Sequence, residues 1–220
     1  MQPRVVPLKG CSNSLPPVYV VTDGHQCDEH QVVRALEEAS LERGFLLQLR
    51  EKTLSTRALL TLARSILSQA RRYKIPVFIN DRVDVALAIG ADGVHLRSTS
   101  LSIAVARSLV GKNCLIGFSA HSVDDVMKGE QAGADFAVLG PVYDTSSKRA
   151  YGEPLGLSRF EAACRHCRLP IYAIGGMAVS SVSDVLQVGG HGVAGISVIW
   201  NSESPGKMIR ELCMQFPSFS

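Results

Sequence analysis

Aromatic residues make up only 6% of the 220-residue chain, with a single tryptophan, and no run of like charges occurs anywhere. A nucleic-acid-binding surface usually shows a basic stripe interleaved with aromatics, so that class is excluded at the level of composition. Long hydrophobic runs are missing too. The longest charge-free apolar region, Val185 to Ser202, is broken by Gly189, Gly190, Gly192, Gly195 and His191, which reads as strand and turn rather than a membrane span. The Met1–Pro17 stretch has no apolar segment of signal-peptide length. Six cysteines, at positions 11, 27, 114, 164, 167 and 213, are too sparse for a disulfide scaffold. Together these absences predict a soluble protein of a reducing, cytoplasmic compartment, with neither membrane nor nucleic acid as partner.

What remains is ordinary globular material: 46% hydrophobic and 20% charged residues, with 23 Lys and Arg against 20 Asp and Glu for a net charge of +3. Short apolar segments alternate with amphipathic ones along the chain. The candidate strands are 18–22, 45–49, 77–79, 93–96, 115–118, 136–139, 171–174 and 193–197; helical segments such as 29–43, 55–73 and 122–132 lie between them. Ser55 precedes one helix as an N-cap, and Ser122 can serve another in the same way. Eight units in 220 residues is about 27 residues per unit, the length of consecutive βα units in a parallel sheet. No G-x-G-x-x-G follows the first strand, which weighs against an open doubly wound sheet. The expected architecture is α/β, a single (β/α)8 TIM barrel over residues 17–220, preceded by a flexible arm at 1–16.

The strand ends differ in kind. Turn residues precede the strands, whereas their C-terminal ends carry Arg50, Asn80-Asp81, Ser119, Gly175-Gly176 and Ser197. Barrel enzymes build their sites at that face, so the asymmetry predicts an enzyme. Strand alternation puts Gln48, Arg50 and Lys52 on one side, where the cations suit a phosphate or diphosphate; a solvated strand end or a pair with Glu51 is the bland alternative. Asp81 beside Asn80 can hold a hydrated Mg2+, or else cap the helix starting near Val83. Ser119 and His121 project together, with Gly117 below leaving space; His121 is a candidate proton shuttle, although no G-x-S-x-G elbow accompanies the pair. The loop 140–152 is the longest polar connection, and its Thr145, Ser147 and Lys148 can wrap a phosphate. Backbone N–H groups at Gly175, Gly176 and Ser197 form a second, separate anion site. His95 reads as a barrel-interior residue, and Cys164-x-x-Cys167 as ordinary thiols in the sixth helix.

Several segments then carry a resemblance to one family. Gln48-Leu49-Arg50-Glu51-Lys52, Ile79-Asn80-Asp81-Arg82-Val83-Asp84, Gly90-Ala91-Asp92-Gly93-Val94-His95-Leu96, Ile116-Gly117-Phe118-Ser119, the Gly140-Pro141 loop and Ala173-Ile174-Gly175-Gly176-Met177 resemble the thiamine phosphate synthase superfamily, in order, from about Val18 to Trp200. The resemblance implies a (β/α)8 barrel and a homodimer acting on small phosphorylated thiazole or pyrimidine substrates. Of its two branches, synthases join a hydroxymethylpyrimidine diphosphate to a thiazole phosphate with Mg2+, and tautomerases aromatise a thiazole carboxylate phosphate without a metal. Gln48, Arg50, Lys52, Asn80, Ser119 and Lys148 match pyrimidine and pyrophosphate contacts; Thr145, Gly176 and Ser197 match thiazole-phosphate positions; Asp81 matches one Mg2+ ligand.

One departure decides the expected branch. Synthases carry a second metal-binding Asp where this chain reads His95-Leu96-Arg97-Ser98-Thr99-Ser100-Leu101, so Ser100 stands in the carboxylate's place. With Ser119-x-His121-Ser122, this favours the isomerase: a cofactor-free thiazole tautomerase using His121, with Ser119 beside it, for proton transfer. The alternatives are Mg2+-dependent thiamine phosphate synthase and a non-catalytic binder of thiamine intermediates.

Overall fold

The structure is a computed structural model that describes residues 15–42, 44–145 and 153–216. Eight parallel strands close into a barrel in sequence order: β1 (Val18–Val21), β2 (Phe45–Leu49), β3 (Val77–Asn80), β4 (Gly93–Leu96), β5 (Leu115–Ala120), β6 (Phe136–Leu139), β7 (Ile171–Ala173) and β8 (Gly192–Gly195), with β8 pairing back onto β1. Between and after them run α1 (Glu29–Glu38), α2 (Thr56–Arg72), α3 (Val83–Ile89), α4 (Ile103–Val110), α5 (Val123–Gln131), α6 (Gly156–His166), α7 (Val182–Gln187), α8 (Ser197–Trp200) and α9 (Pro205–Cys213). The expected barrel is therefore the observed one.

Period-2 alternation divides the strand residues between two cores. Val18, Val20, Leu47, Leu49, Ile79, Val94, Ile116, Phe118 and Leu139 face outward and pack under the helices. Tyr19, Leu46, Phe78, Leu115, Phe136, Val138, Tyr172 and Ala194 fill the interior. Four aromatic rings meet there edge-on or tilted; Phe78 and Phe136, for example, lie 5.3 Å apart between centroids. The rings fit because two strands offer no side chain: a Cβ on Gly93 would stand 2.1 Å from Phe78, and one on Gly117 would stand 2.2 Å from Phe136. The space expected below Ser119 is thus occupied by the Phe136 ring, a correction to the sequence reading.

Ser55 and Ser122 cap α2 and α5, accepting from the N–H groups of Ala58 and Asp125. Asp81 does not cap α3: the N-cap position is Arg82, with no side-chain hydrogen bond, while Asp81 itself takes a left-handed φ of 66°. Residues 1–14 of the expected arm lie outside the described residues. Leu15 and Pro16, also assigned to that arm, close the floor of the barrel. Leu15 is buried in the interior core, its carbonyl accepts from His191 Nε2 at 2.8 Å, and the Pro16 carbonyl accepts from the Tyr172 hydroxyl at 2.6 Å. Among the described residues, no helix is long and apolar enough to cross a membrane.

Candidate active site

A cavity of about 510 Å³ opens at the C-terminal ends of the strands, within the size range of small-molecule sites. Its lining includes Gln48, Arg50, Asn80, His95, Ser119, His121, Thr145, Gly175, Gly176 and Ser197. Arg97, Ser98 and Thr99 of the β4–α4 loop line it as well. A second concavity of about 620 Å³, between α1 and α2, contains none of these residues.

The floor of the cavity is neutral and polar. Gln48, Asn80 and His95 come from inward positions of β2, β3 and β4 and are buried; Ser119 follows from β5. Gln48 Nε2 donates to the Tyr19 oxygen at 3.0 Å, and the Tyr19 hydroxyl lies 3.3 Å from His95 Nδ1. A buried hydroxyl hydrogen needs an acceptor, and Nδ1 is the one within reach. The proton of the neutral imidazole is thereby assigned to Nε2, which donates to Ser119 Oγ at 3.0 Å. Ser119 is left with its own O–H to offer to a ligand. Burial drives the His95 pKa down to about 3, the nearby Arg50 charge adding to the effect, so the ring is neutral at physiological pH. Burial raises the Tyr19 hydroxyl well above its usual range, and it keeps its proton.

Charge enters at the rim. Arg50 follows β2, its N–H bound by the Thr22 hydroxyl at 2.8 Å and its Nη1 held 2.7 Å from Asp23 Oδ2. Asp23 pays a desolvation cost that raises its carboxyl, but the hydrogen bonds from Arg50 and the His25 N–H, with the Arg50 charge, prevail and hold it below the usual range. After β4, Arg97 pairs with Asp81 in the same way, and Asp81 is likewise held low against its own desolvation by Ser100 and Arg97. Arg50 and Arg97 line the cavity, whereas Asp23 and Asp81 do not.

The opposite rim is backbone. Gly175 and Gly176 have φ of 91° and 64°, which L-residues rarely adopt. They pack against the loop after β6, where Val142 N–H donates to the Ile174 carbonyl at 2.8 Å and Tyr143 N–H to the Gly175 carbonyl at 3.1 Å. A Cβ on Gly176 would lie 2.4 Å from the Asp144 carbonyl oxygen. Ser197 is the first residue of α8, not the end of a strand as expected, because the chain leaves the sheet at Gly195. The first N–H groups of a helix lack intrahelical partners, so Ser197 and Val198 can offer theirs toward the cavity they line. His121 sits between the rims. The Gly140 carbonyl 2.8 Å from its Nδ1 can only accept, so Nδ1 carries a proton and Nε2 is an acceptor in the neutral ring.

Not every expected residue joins the site. Lys52 is exposed and does not line the cavity, since β2 ends at Leu49 and strand alternation stops three residues short of it. Asp81 lies behind Arg97. Ser147 and Lys148 lie outside the described residues. Conversely, His95, assigned to the interior, is both buried and cavity-lining; its inward parity with Gly93 at the end of β4 was the available signal. Arg97 reads from the sequence as positive charge at the barrel mouth, where the structure places it, whereas the supporting Asp23 carries no motif of its own. The Cys164-x-x-Cys167 pair is free and capped by raised thiol pKa values, Cys164 at about 12, through burial. Among the described residues no group of three His, Cys, Asp or Glu side chains can hold a metal.

Eight parallel strands closed in sequence order, with an open cavity at their C-terminal ends, define a (β/α)8 barrel protein. The family model described as thiamine monophosphate synthase matches residues 18–199, and the chain belongs to that family. A thiamine-phosphate synthase of Chlorobium luteolum is 38% identical, covering 90% of this chain and 91% of its own length. Another from Clostridium novyi is 36% identical, covering 84% and 91%. The solved thiamine phosphate pyrophosphorylase from Pyrococcus furiosus superposes with a TM-score of 0.80 at 30% identity, over 91% of this chain and 96% of its own. These relatives overturn the expected tautomerase, because they carry the synthase name and the chain matches them over nearly their full length. The two features that suggested the isomerase have structural work of their own: Ser100 binds Asp81, and the His121 ring binds the Gly140 carbonyl.

Proposed function

We propose that the chain is a thiamine-phosphate synthase, a transferase that joins a hydroxymethylpyrimidine diphosphate to a thiazole phosphate. In this reaction the thiazole nitrogen forms a bond to the pyrimidine methylene carbon, the carbon–oxygen bond to the diphosphate breaks, and pyrophosphate departs with the electron pair. The observation that carries the reading is that one cavity of about 510 Å³ has anion-binding groups of two kinds on opposite rims around a neutral polar floor. A condensation of two phosphorylated substrates needs both ends at once, at a distance set by the protein.

In this reading Arg50 takes the diphosphate with its bidentate fork, together with Lys148 of the loop after β6. Gln48, Asn80 and Ser119 bind the polar edge of the pyrimidine, with His95 positioning Ser119. Gly175, Gly176, Ser197 and Thr145 hold the thiazole phosphate through N–H and hydroxyl donors. Charge stabilisation on the departing diphosphate is the term the arginines supply in the transition state. A homodimer remains part of the proposal.

The Mg2+ implied by the family resemblance does not fit these residues. Mg2+ demands near-octahedral oxygen ligands, whereas Asp81, the carboxylate that matches a metal ligand, has both oxygens engaged by Arg97 and Ser100. No step is therefore routed through a metal. The reading is tested by supplying both substrates and following thiamine phosphate and pyrophosphate together. Equal formation of the two is expected, and pyrophosphate without thiamine phosphate, or neither, overturns it.

A further inference from the structure

Asp81 and the loop after β4 form a closed arrangement. Asp81 is fixed by its backbone, whose N–H donates to the His95 carbonyl at 2.8 Å and whose φ is left-handed. Ser100 accepts from the Arg97 N–H at 2.8 Å, returns its own N–H to the Arg97 carbonyl at 3.0 Å, and donates its hydroxyl to Asp81 Oδ1. Arg97 Nη2 takes Oδ2. The serine that stands in place of a carboxylate thus closes the turn that presents the arginine. A guanidinium carries five N–H donors, and among the described residues Asp81 engages one of them. The side chain is 46% exposed and lines the cavity, while Asp81 does not.

We infer that Arg97, braced by Asp81 and Ser100, is a fixed cation for the diphosphate, occupying the role a divalent metal ion would otherwise fill at this rim, so that the chain binds pyrophosphate without one. The pairing is mutually exclusive with a cation at Asp81: a metal there would have to displace the Arg97 guanidinium from Oδ2 and the Ser100 hydroxyl from Oδ1. It also parallels Arg50, which Asp23 holds at the end of β2. The ligand, a diphosphate, rests on the synthase reading; the absence of a metal requirement rests on the Asp81–Arg97–Ser100 contacts alone.

The test uses two probes on the full chain. Inorganic pyrophosphate is titrated calorimetrically in excess EDTA, and Mn2+ alone is titrated with detection by electron paramagnetic resonance. The wild type is expected to bind pyrophosphate in EDTA and to leave Mn2+ free. Arg97→Ala is expected to weaken pyrophosphate by about tenfold or more, as loss of a charge-assisted contact does, with Arg97→Lys recovering part of it. Arg97→Gly combined with Ser100→Asp is expected to gain Mn2+ binding. Unchanged melting temperatures separate these effects from misfolding, and Arg97→Lys serves as the folded comparison where Arg97→Ala melts early. Stoichiometric Mn2+ binding by the wild type, loss of pyrophosphate binding in EDTA, or an Arg97→Ala protein with unchanged affinity would each overturn the inference. A chain that binds pyrophosphate in EDTA but forms no thiamine phosphate keeps Arg97's role and sinks the synthase reading; metal-requiring synthesis with metal-requiring pyrophosphate binding does the reverse.

Discussion

The two rims of the cavity differ in the kind of hydrogen-bond donor they carry. At the β2 and β4 ends the donors are side chains, Arg50 and Arg97, each oriented by an aspartate set back from the cavity. At the β7 and β8 ends the donors are backbone N–H groups, presented by two glycines in left-handed conformations and by the start of a short helix. A charged rim can be removed by deleting one side chain without disturbing the fold. A backbone rim is altered only by adding atoms, and then the chain itself must move. The contrast predicts that one rim is sensitive to loss and the other to gain.

The largest effect should come from Arg50→Ala, which removes a bidentate donor from the departing diphosphate and leaves Asp23 as an uncompensated negative charge nearby. A fall in kcat of about 10²–10³-fold is expected, as for removal of one transition-state donor; steady-state kinetics with a decrease under tenfold would remove Arg50 from that role. On the other rim, Gly176→Ala places a Cβ 2.4 Å from a backbone carbonyl at a φ of 64°. Destabilisation of about 1–3 kcal/mol and a raised KM confined to the thiazole phosphate are expected. An unaltered KM, read against both substrates, would detach this rim from the phosphate.

The neutral floor distinguishes itself by pH. Burial depresses both His95 and His191, so below pH 6.5 the unfolded chain binds protons that the folded chain does not. Stability is then fully present above the unfolded value and falls as pH drops, by about 1.4 kcal/mol per pH unit for each histidine left neutral. Asp23 and Asp81, held low, add their loss only below about pH 4, near and under the ordinary carboxyl range. Half-buried Glu51, raised, works in the opposite sense just above its ordinary value. Denaturant melts between pH 6.5 and 4 should show the slope, and His95→Gln should reduce it; an unchanged slope would remove His95 as a source. The smallest effect belongs to Lys52→Ala. Its side chain is exposed and away from the cavity, so kcat/KM should change by no more than about twofold at moderate salt.

Lys52 also shows where sequence reasoning stops. Alternation held for Gln48 and Ser119 because a paired strand enforces a period of two. The eight-strand barrel was legible for the same reason, as were the caps at Ser55 and Ser122. Past Leu49 the period still brings Arg50 to the cavity but fails by Lys52, and Ser197 reaches the cavity as the first residue of a helix, because the chain has left the sheet. Asp81 with Arg97, and Asp23 with Arg50, pair across loops separated by 16 and 27 residues. No local periodicity encodes such contacts. Ser100 was noticed as a missing carboxylate, but its positive task, holding a turn closed, requires the folded loop to be seen. Branch assignment failed for that reason: an absence was visible in the sequence and its replacement was not.

The chain's single tryptophan occupies an informative place. Trp200 ends α8, whose first residue lines the cavity, and its indole N–H donates to the Val21 carbonyl at 2.7 Å, in a nearly dry setting. Its fluorescence therefore comes from one environment, at the seam where the last strand meets the first. A ligand that draws α8 toward it would change the polarity around that indole and shift its emission. The protein carries its own optical reporter for the seam between α8 and the end of β1, usable without labels.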